Sequence, residues 1–291
     1  MFLDTDRDGV ADPDERGVPQ VKLSNGRELV VSDAEGRYSI ALRPGDTLFL
    51  VKPPGFELPR GADGLPRFWR HHFPAGSPPL RYGGVSARSV DQGDFALLPA
   101  KTPSGPLDVL LFGDPQVKST RDADFYARDI VAPLQAAPAA HLGLSLGDIV
   151  NDDLSLYPVV NEITARLARP WLHLPGNHDV DFDAPQDEQS LLSYRASFGP
   201  DTYAWEEPQA SFILLDDVVM QLAPGAPPSY IGGLREDQFE FLSAYLASLP
   251  AGRPVIVAAH IPFHDAAPGQ TTFRAADRTR LFALLQRFEQ V

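Results

Sequence analysis

The sequence predicts an α/β domain with a layered sheet over residues 107–291, preceded by a small all-β sandwich over residues 1–98 and joined to it by a stiff, Pro-rich linker at 99–106. Three observations carry this reading. From Leu107 onward, short apolar runs alternate with longer amphipathic segments, the rhythm of strands and helices in a layered sheet. Before residue 99 every run is short, and the runs are broken at Asn25-Gly26, Ala34-Glu35-Gly36 and Pro44-Gly45, which are turn sequences. Several of the later runs stop abruptly at polar residues, as strands do where an open sheet presents its carboxyl edge to a ligand.

The first domain reads in order as follows. Residues 4–15 place oxygen donors at Asp4, Asp6, Asp8, Asp12 and Glu15, with Gly9 where the chain must turn and Val10 offering a backbone carbonyl. That is the spacing of a twelve-residue calcium loop. Only three residues precede it, so the helix pair of an EF-hand is missing, and the loop is expected to hold a structural calcium on a β-domain; the alternative is an acidic surface turn. Strands are expected over 18–23, 28–32, 37–42 and 47–52, spaced as in a small antiparallel sandwich. Residues 59–82 are rich in Pro, Gly, Arg and aromatics and read as a loop packed on the next domain, with Arg70 near an anionic substrate. His71 and His72 are adjacent, and neighbouring side chains on a strand point to opposite faces, which argues against a shared metal.

In the second domain, strands are expected at 108–112, 142–146, 171–174 and 255–259. Residues 202–206, 211–215 and 218–222 form an antiparallel group, and helices are expected at 122–134, 156–167, 191–198, 236–249 and 277–289. The four strands at 108–112, 142–146, 171–174 and 255–259 each end in a polar cluster: Asp114 and Gln116, then Asp148, then Asn177-His178-Asp179, then His260. Gly-Asp after a strand is often only a turn or a helix cap, but together these groups make a ligand set. Asp148 can bridge two cations, with Asp114 and Gln116 on one side and Asn177 and His260 on the other. Oxygen and imidazole donors without thiolates suit Mn, Fe, Zn or Mg. His178 is a proton carrier near neutral pH, and Asp179 is a carboxylate able to orient a histidine. His173, within its strand, is expected to be a core histidine. His264 reads equally as pocket rim or loop, and Asp216 and Asp217 read as structural.

Composition limits the alternatives. The 291 residues, 43% hydrophobic and 10% aromatic, suffice for two domains with a large core. No apolar run approaches the roughly 20 residues that span a bilayer. The opening Met1-Phe2-Leu3-Asp4 has neither a basic region nor an apolar signal segment. With no cysteine there is no disulfide or thiolate metal site. The net charge is −14, and residues 99–291 hold 25 acids against 13 bases. Such an excess of acid argues against docking on a nucleic-acid backbone. A serine hydrolase is disfavoured because no Gly-x-Ser-x-Gly lies near a strand end.

Asp114-x-Gln116, Gly147-Asp148-x-x-x-Asp152, Gly176-Asn177-His178-Asp179 and Ala259-His260, in that order, resemble the motifs of the calcineurin-like metallophosphoesterase superfamily. The first domain resembles the prealbumin-like N-terminal module found ahead of one group of that superfamily. The matching stretches are the Asp-rich loop, Gly17-Val18-Pro19-Gln20-Val21, residues 32–38 and Lys52-Pro53-Pro54-Gly55-Phe56. The resemblance implies an α/β/β/α sandwich and hydrolysis of a phosphodiester or phosphomonoester by a hydroxide activated between two metals. It also implies that His178, oriented by Asp179, stabilises the transition state or protonates the leaving oxygen, while Asp152 supports the site from behind the ligands. A diester is preferred, because a dianionic monoester calls for extra basic groups. Relatives with this module are often exported, which implies a periplasmic or extracellular location.

Two departures stand out. Gln116 replaces a common histidine, so the first metal is expected to be held less tightly. No Gly-His-x-His follows His260, so the chain is expected to be cut short of that motif and to turn over slowly if at all. The strand that usually opens such a module before the Asp-rich loop is nearly missing, so the chain is also expected to begin inside its natural gene product. The rival reading is a degenerate, non-catalytic phosphoesterase domain serving a β-module that binds a surface or glycan.

Overall fold

The computed structural model describes residues 1–100, 105–135, 140–221, 227–265, 267 and 270–286. Residues 101–104 of the expected linker, Leu222 and the end of the expected last helix lie outside these. In the first domain, β1 (Phe2–Leu3), β2 (Lys22–Ser24), β3 (Leu29–Val31), β4 (Asp46–Leu50), β5 (Phe56–Glu57), β6 (Trp69–His72) and β7 (Ala96–Pro99) form two sheets. One is antiparallel in the order β3-β2-β4-β6; the other runs β1-β7-β5, with β1 and β7 parallel.

Two expectations are corrected here. Residues 37–42 alternate between exposed and half-buried but join no ladder. Side chains hold them instead: Asn25 Nδ2 donates to the Ala41 carbonyl at 2.9 Å and the Tyr38 hydroxyl to that of Gly93 at 2.6 Å. Alternation records that one side is covered, not that the backbone is paired. Conversely, residues 69–72 form the edge strand β6 rather than a loop. Arg70 lies over the Phe95 ring at 4.9 Å and donates to the carbonyls of Trp69 and Asp94, so its contacts are within its own domain.

The second domain holds β8 (Val109–Phe112), β9 (Leu142–Leu146), β10 (Trp171–Leu174), β11 (Tyr203–Glu206), β12 (Ser211–Leu214), β13 (Val218–Gln221), β14 (Ser229–Gly232) and β15 (Val255–Ala258). The first three make a parallel sheet in the order β10-β9-β8, in which Phe112, Ser145 and His173 share a register. The three carboxyl ends are therefore level. Central β9 is almost wholly buried, as the middle of a parallel sheet must be. A second sheet runs β11-β12-β15, with β12 and β15 parallel, and β13 pairs with β14, a strand the sequence did not indicate.

The helices are α1 (Thr120–Phe125), which continues through a π-helical turn (Tyr126–Val131) into α2 (Ala132–Gln135), then α3 (Tyr157–Ala165), α4 (Leu192–Phe198), α5 (Glu236–Ala247) and α6 (Ala275–Leu285). Ser119 caps α1 by accepting from the Asp122 amide. Tyr126 meets Phe112 of β8 edge-on and hydrogen-bonds Thr164 of α3, so these helices cover the first sheet. The Tyr203 hydroxyl donates to the His173 carbonyl at 2.8 Å and ties the second sheet to the first. The result is a mixed α/β architecture behind a β-rich domain. No helix among the described residues is long and apolar enough to cross a membrane.

The two domains share one hydrophobic core. Phe49 of β4 meets Phe241 of α5 at 5.5 Å, and Phe68 meets Trp205 at 5.9 Å. Buried Lys52 pairs with Glu207 at 2.8 Å, and the Glu206 amide donates to the Lys52 carbonyl. His71 belongs to this junction: Nδ1 is 2.9 Å from Thr47 Oγ1 and Nε2 2.9 Å from the Arg195 carbonyl. Burial pushes its imidazole down to about 4, so the folded state takes up its proton far later than the unfolded chain. Its contribution is thus complete above the ordinary histidine range and is lost as pH falls toward 4. Between pH 7 and pH 5 this one group should cost about 2 kcal/mol. Thermal melts of wild type and His71→Gln at both pH values should show a smaller acid-induced drop in the variant; equal drops would remove His71 from the account.

Candidate metal centre

The polar clusters lie just beyond the level ends of β8, β9 and β10 and beyond β15 of the second sheet. The turns that carry them are strained. Asp114, Gln116, Asp148 and Asp152 have φ of 46°, 41°, 50° and 68°, four of the seven non-glycine residues with positive φ among the described residues. Non-glycine residues rarely adopt this region, and it persists where the surroundings over-determine it. Here the Gln116 amide donates to the Asp148 carbonyl at 2.8 Å and the Asp152 amide to that of His178 at 3.2 Å. Two glycines are sterically required. A Cβ on Gly147 would meet the His260 ring at 2.6 Å, and one on Gly176 would meet the Asp148 amide and carboxylate at 2.3 Å.

Asp148 is the hub and is 3% exposed. Its Oδ1 accepts from the His178 amide at 2.9 Å, and its Oδ2 from Gln116 Nε2 at 2.8 Å. Gln116 thus turns its amide nitrogen to the carboxylate. Ligand atoms of Asp114, Asp148 and His260 lie within 4.8 Å of one another.

The protonation of His260 is informative. Nδ1 lies 3.0 Å from the Leu146 carbonyl, which can only accept, so Nδ1 carries the hydrogen. Nε2, the other ring nitrogen, lies 3.1 Å from Asn177 Oδ1 and 3.5 Å from Asp148 Oδ1. An imidazole oriented by a carbonyl on one nitrogen, with the other beside a buried carboxylate and an amide oxygen, is a usual metal-ligand arrangement. The donor set fits a hard or borderline divalent cation.

His178 stands at the rim, 29% exposed. Its Nδ1 is 2.6 Å from Asp152 Oδ1, and its Nε2 is 3.9 Å from Asp148 Oδ2. The partner that orients it is Asp152, not Asp179 as expected. Asp179 is fully buried and faces the other way: its carboxylate accepts from the amides of Ile149 and Gly176 and from the Tyr157 hydroxyl. Burial, with the nearby Asp148 charge adding to it, pushes the Asp179 carboxyl up to about 6 against these donors. It clamps the loops after β9 and β10 together.

Asp217, read from the sequence as structural, does for His260 what Asp179 does for Asp148. It is fully buried and accepts from the amides of His260 and Ile261 at 3.2 and 3.0 Å, and burial pushes it far above the carboxylate range. The signal was present, since Asp216-Asp217 also follows a buried strand. His173 is a core histidine packed against Phe198, ring centroids 4.3 Å apart and tilted by 35°, and burial pushes it down to about 3. Its ring nitrogens have no protein partner among the described residues. His264 is exposed beside Phe282.

In the first domain, Asp4, Asp6 and Asp8 converge, with Asp4 buried and its Oδ2 accepting from the Gly9 amide at 3.1 Å. Glu15 differs from the expected ligand geometry: its two oxygens accept from the amides of Thr5 and Asp12. Asp12 is outside the converging trio, and Val10 is exposed.

A family model described as calcineurin-like phosphoesterase matches residues 107–288, and one described as the N terminal of calcineurin-like phosphoesterase matches residues 5–79. A comparison with curated proteins finds no match. Among solved structures, a dimetal phosphatase from Danio rerio is similar at 20% identity and a TM-score of 0.43, over 63% of this chain and 79% of that one. With its four strand-end clusters brought together around Asp148 and the family model matching more than half its length, the chain belongs to the calcineurin-like phosphoesterase family.

Proposed function

We propose that the chain hydrolyses a phosphoester, preferably a diester, with two divalent cations at this cluster of strand ends. The observation that carries the reading is the pair of neighbouring ligand atoms, His260 Nε2 and Asn177 Oδ1 at 3.1 Å, next to the buried Asp148. Asp114, Gln116, Asp148, Asn177 and His260 are the residues that would hold the cations. When bound, the cations supply water activation and neutralise charge on the phosphoryl oxygens. The protein's own part centres on His178. Asp152 accepts a hydrogen bond from Nδ1–H and fixes the ring. In its imidazolium form His178 can then donate its Nε2 hydrogen to a phosphoryl oxygen or transfer that proton to the leaving oxygen, ending as the neutral imidazole. Asp179 and Asp217 act through the backbone by fixing the loops that carry Asp148 and His260. The preference for a diester rests on the acidic surroundings, which disfavour a dianion.

Hydrolysis of bis(p-nitrophenyl) phosphate by chelator-stripped protein, before and after addition of Mn²⁺, tests this. Turnover that appears only with metal supports it. A folded, Mn²⁺-loaded protein inert toward both diester and monoester probes would remove it in favour of a binding role.

The acidic loop of the first domain is assigned a separate, structural calcium, as suits an exported protein. Asp6→Ala should abolish any rise in melting temperature on adding Ca²⁺ while leaving turnover at saturating Mn²⁺ within about twofold of wild type. A large loss of turnover would contradict the separation of roles.

A further inference from the structure

The N-terminal domain reaches the phosphoesterase site through one excursion of its chain. Phe73 and Arg88 exchange backbone hydrogen bonds of 2.8 and 2.9 Å and close off the residues between them. Within this segment Leu80 and Val85, together with Phe73, pack on Leu192 of α4 in a small cluster separate from the main core. Three polar contacts pin its tip to the second domain. The Gly84 amide donates to Ser193 Oγ at 3.2 Å, the Arg81 amide to Asp183 Oδ2 at 2.8 Å, and the Tyr82 hydroxyl to the Asp152 carbonyl at 2.9 Å. The Arg81 guanidinium lies 5.0 Å over the Tyr82 ring.

The last of these contacts bears on the site. Asp152 is a non-glycine residue at φ 68°, a conformation that relaxes unless its surroundings impose it. Its amide donates to the His178 carbonyl, its carboxylate holds His178 Nδ1, and its own carbonyl is held by Tyr82. We propose that Tyr82 is a positioning residue: by fixing the Asp152 carbonyl it maintains the strained turn that aims the Asp152 carboxylate at His178, so the N-terminal domain completes the phosphoesterase site. The effect on turnover rests on the hydrolytic reading above; the mechanical link does not.

Tyr82→Phe removes the hydroxyl and keeps the ring, and two readouts separate the claims. Amide exchange in the metal-free protein should be faster at residues 151–153 in the variant, with the melting temperature unchanged. Turnover in Mn²⁺ should show kcat reduced by about tenfold at nearly constant KM, as expected from one lost hydrogen bond of about 1.4 kcal/mol that acts only through alignment. In an Asp152→Ala background the same substitution should have no further effect on kcat. Unchanged exchange at residues 151–153, or equal losses of kcat in both backgrounds, overturns the proposal. If wild type shows no turnover while exchange responds, the hydrolytic reading fails and the link between Tyr82 and Asp152 stands.

Discussion

Asp148→Asn should lower turnover by about a thousandfold or more and abolish the rise in melting temperature produced by Mn²⁺. The substitution is nearly isosteric, so the effect is electronic. Both carboxylate oxygens of Asp148 accept from donors, the His178 amide and Gln116 Nε2, and both neighbour the other candidate ligands. An amide supplies one acceptor where two are needed, sets an NH₂ against a donor, and removes the only buried negative charge among the five proposed ligands. Without metal, the variant should melt no lower than wild type by more than about 1 kcal/mol, because losing an uncompensated buried charge offsets the lost hydrogen bond. Titration calorimetry with Mn²⁺, paired with melts in the presence and absence of metal, decides the matter. Wild-type turnover in Asp148→Asn would place the chemistry elsewhere.

Asp179→Ala should act mainly on stability, although its motif position invites a catalytic reading. The carboxylate is fully buried and serves the amides of Ile149 and Gly176, which would lose this acceptor, and the Tyr157 hydroxyl, which would keep only its longer contact to the Asp179 carbonyl at 3.3 Å. Unsatisfied buried donors cost about 1–3 kcal/mol each. Burial already pushes this carboxyl up to about 6, so part of that cost is recovered when its desolvated charge is removed. A net loss of about 3 kcal/mol lowers the melting temperature by roughly 6–12 °C. Turnover falls as well, because the loops that carry Asp148 and His178 are no longer clamped. A residue that only oriented His178 would lower kcat and leave the melt unchanged; that outcome would restore the role first expected for Asp179.

Much of the architecture was legible because it depends on periodicity and on chain ends. The strands at 142–146 and 171–174 were read to the residue from their unbroken apolar runs, and the polar residues that end them marked the sheet edge. The adjacent histidines 71 and 72 were correctly kept apart by strand alternation. Strand 69–72 itself was missed, because an edge strand of Trp, Arg and two His resembles a loop when its partner β4 is unknown. Residues 37–42 failed in the opposite sense: they alternate, yet side chains rather than a neighbouring strand satisfy them.

The same division holds within the site. Residue type and order determined which groups could meet: Asp114, Gln116, Asp148 and Asn177 follow the parallel, in-register strands β8, β9 and β10 and so reach one edge, whereas His260 comes from β15 of the second sheet. Which carboxylate serves which partner was a matter for the tertiary structure alone. Asp179 is next to His178 in sequence but turns into the core, whereas Asp152, 26 residues away, reaches the ring because left-handed turns at 148 and 152 redirect the loop after β9. A hydrogen bond needs a direction as well as a distance, and in this loop direction is decided by strained backbone torsions and by Tyr82 reaching in from another domain, neither of which a linear pattern encodes.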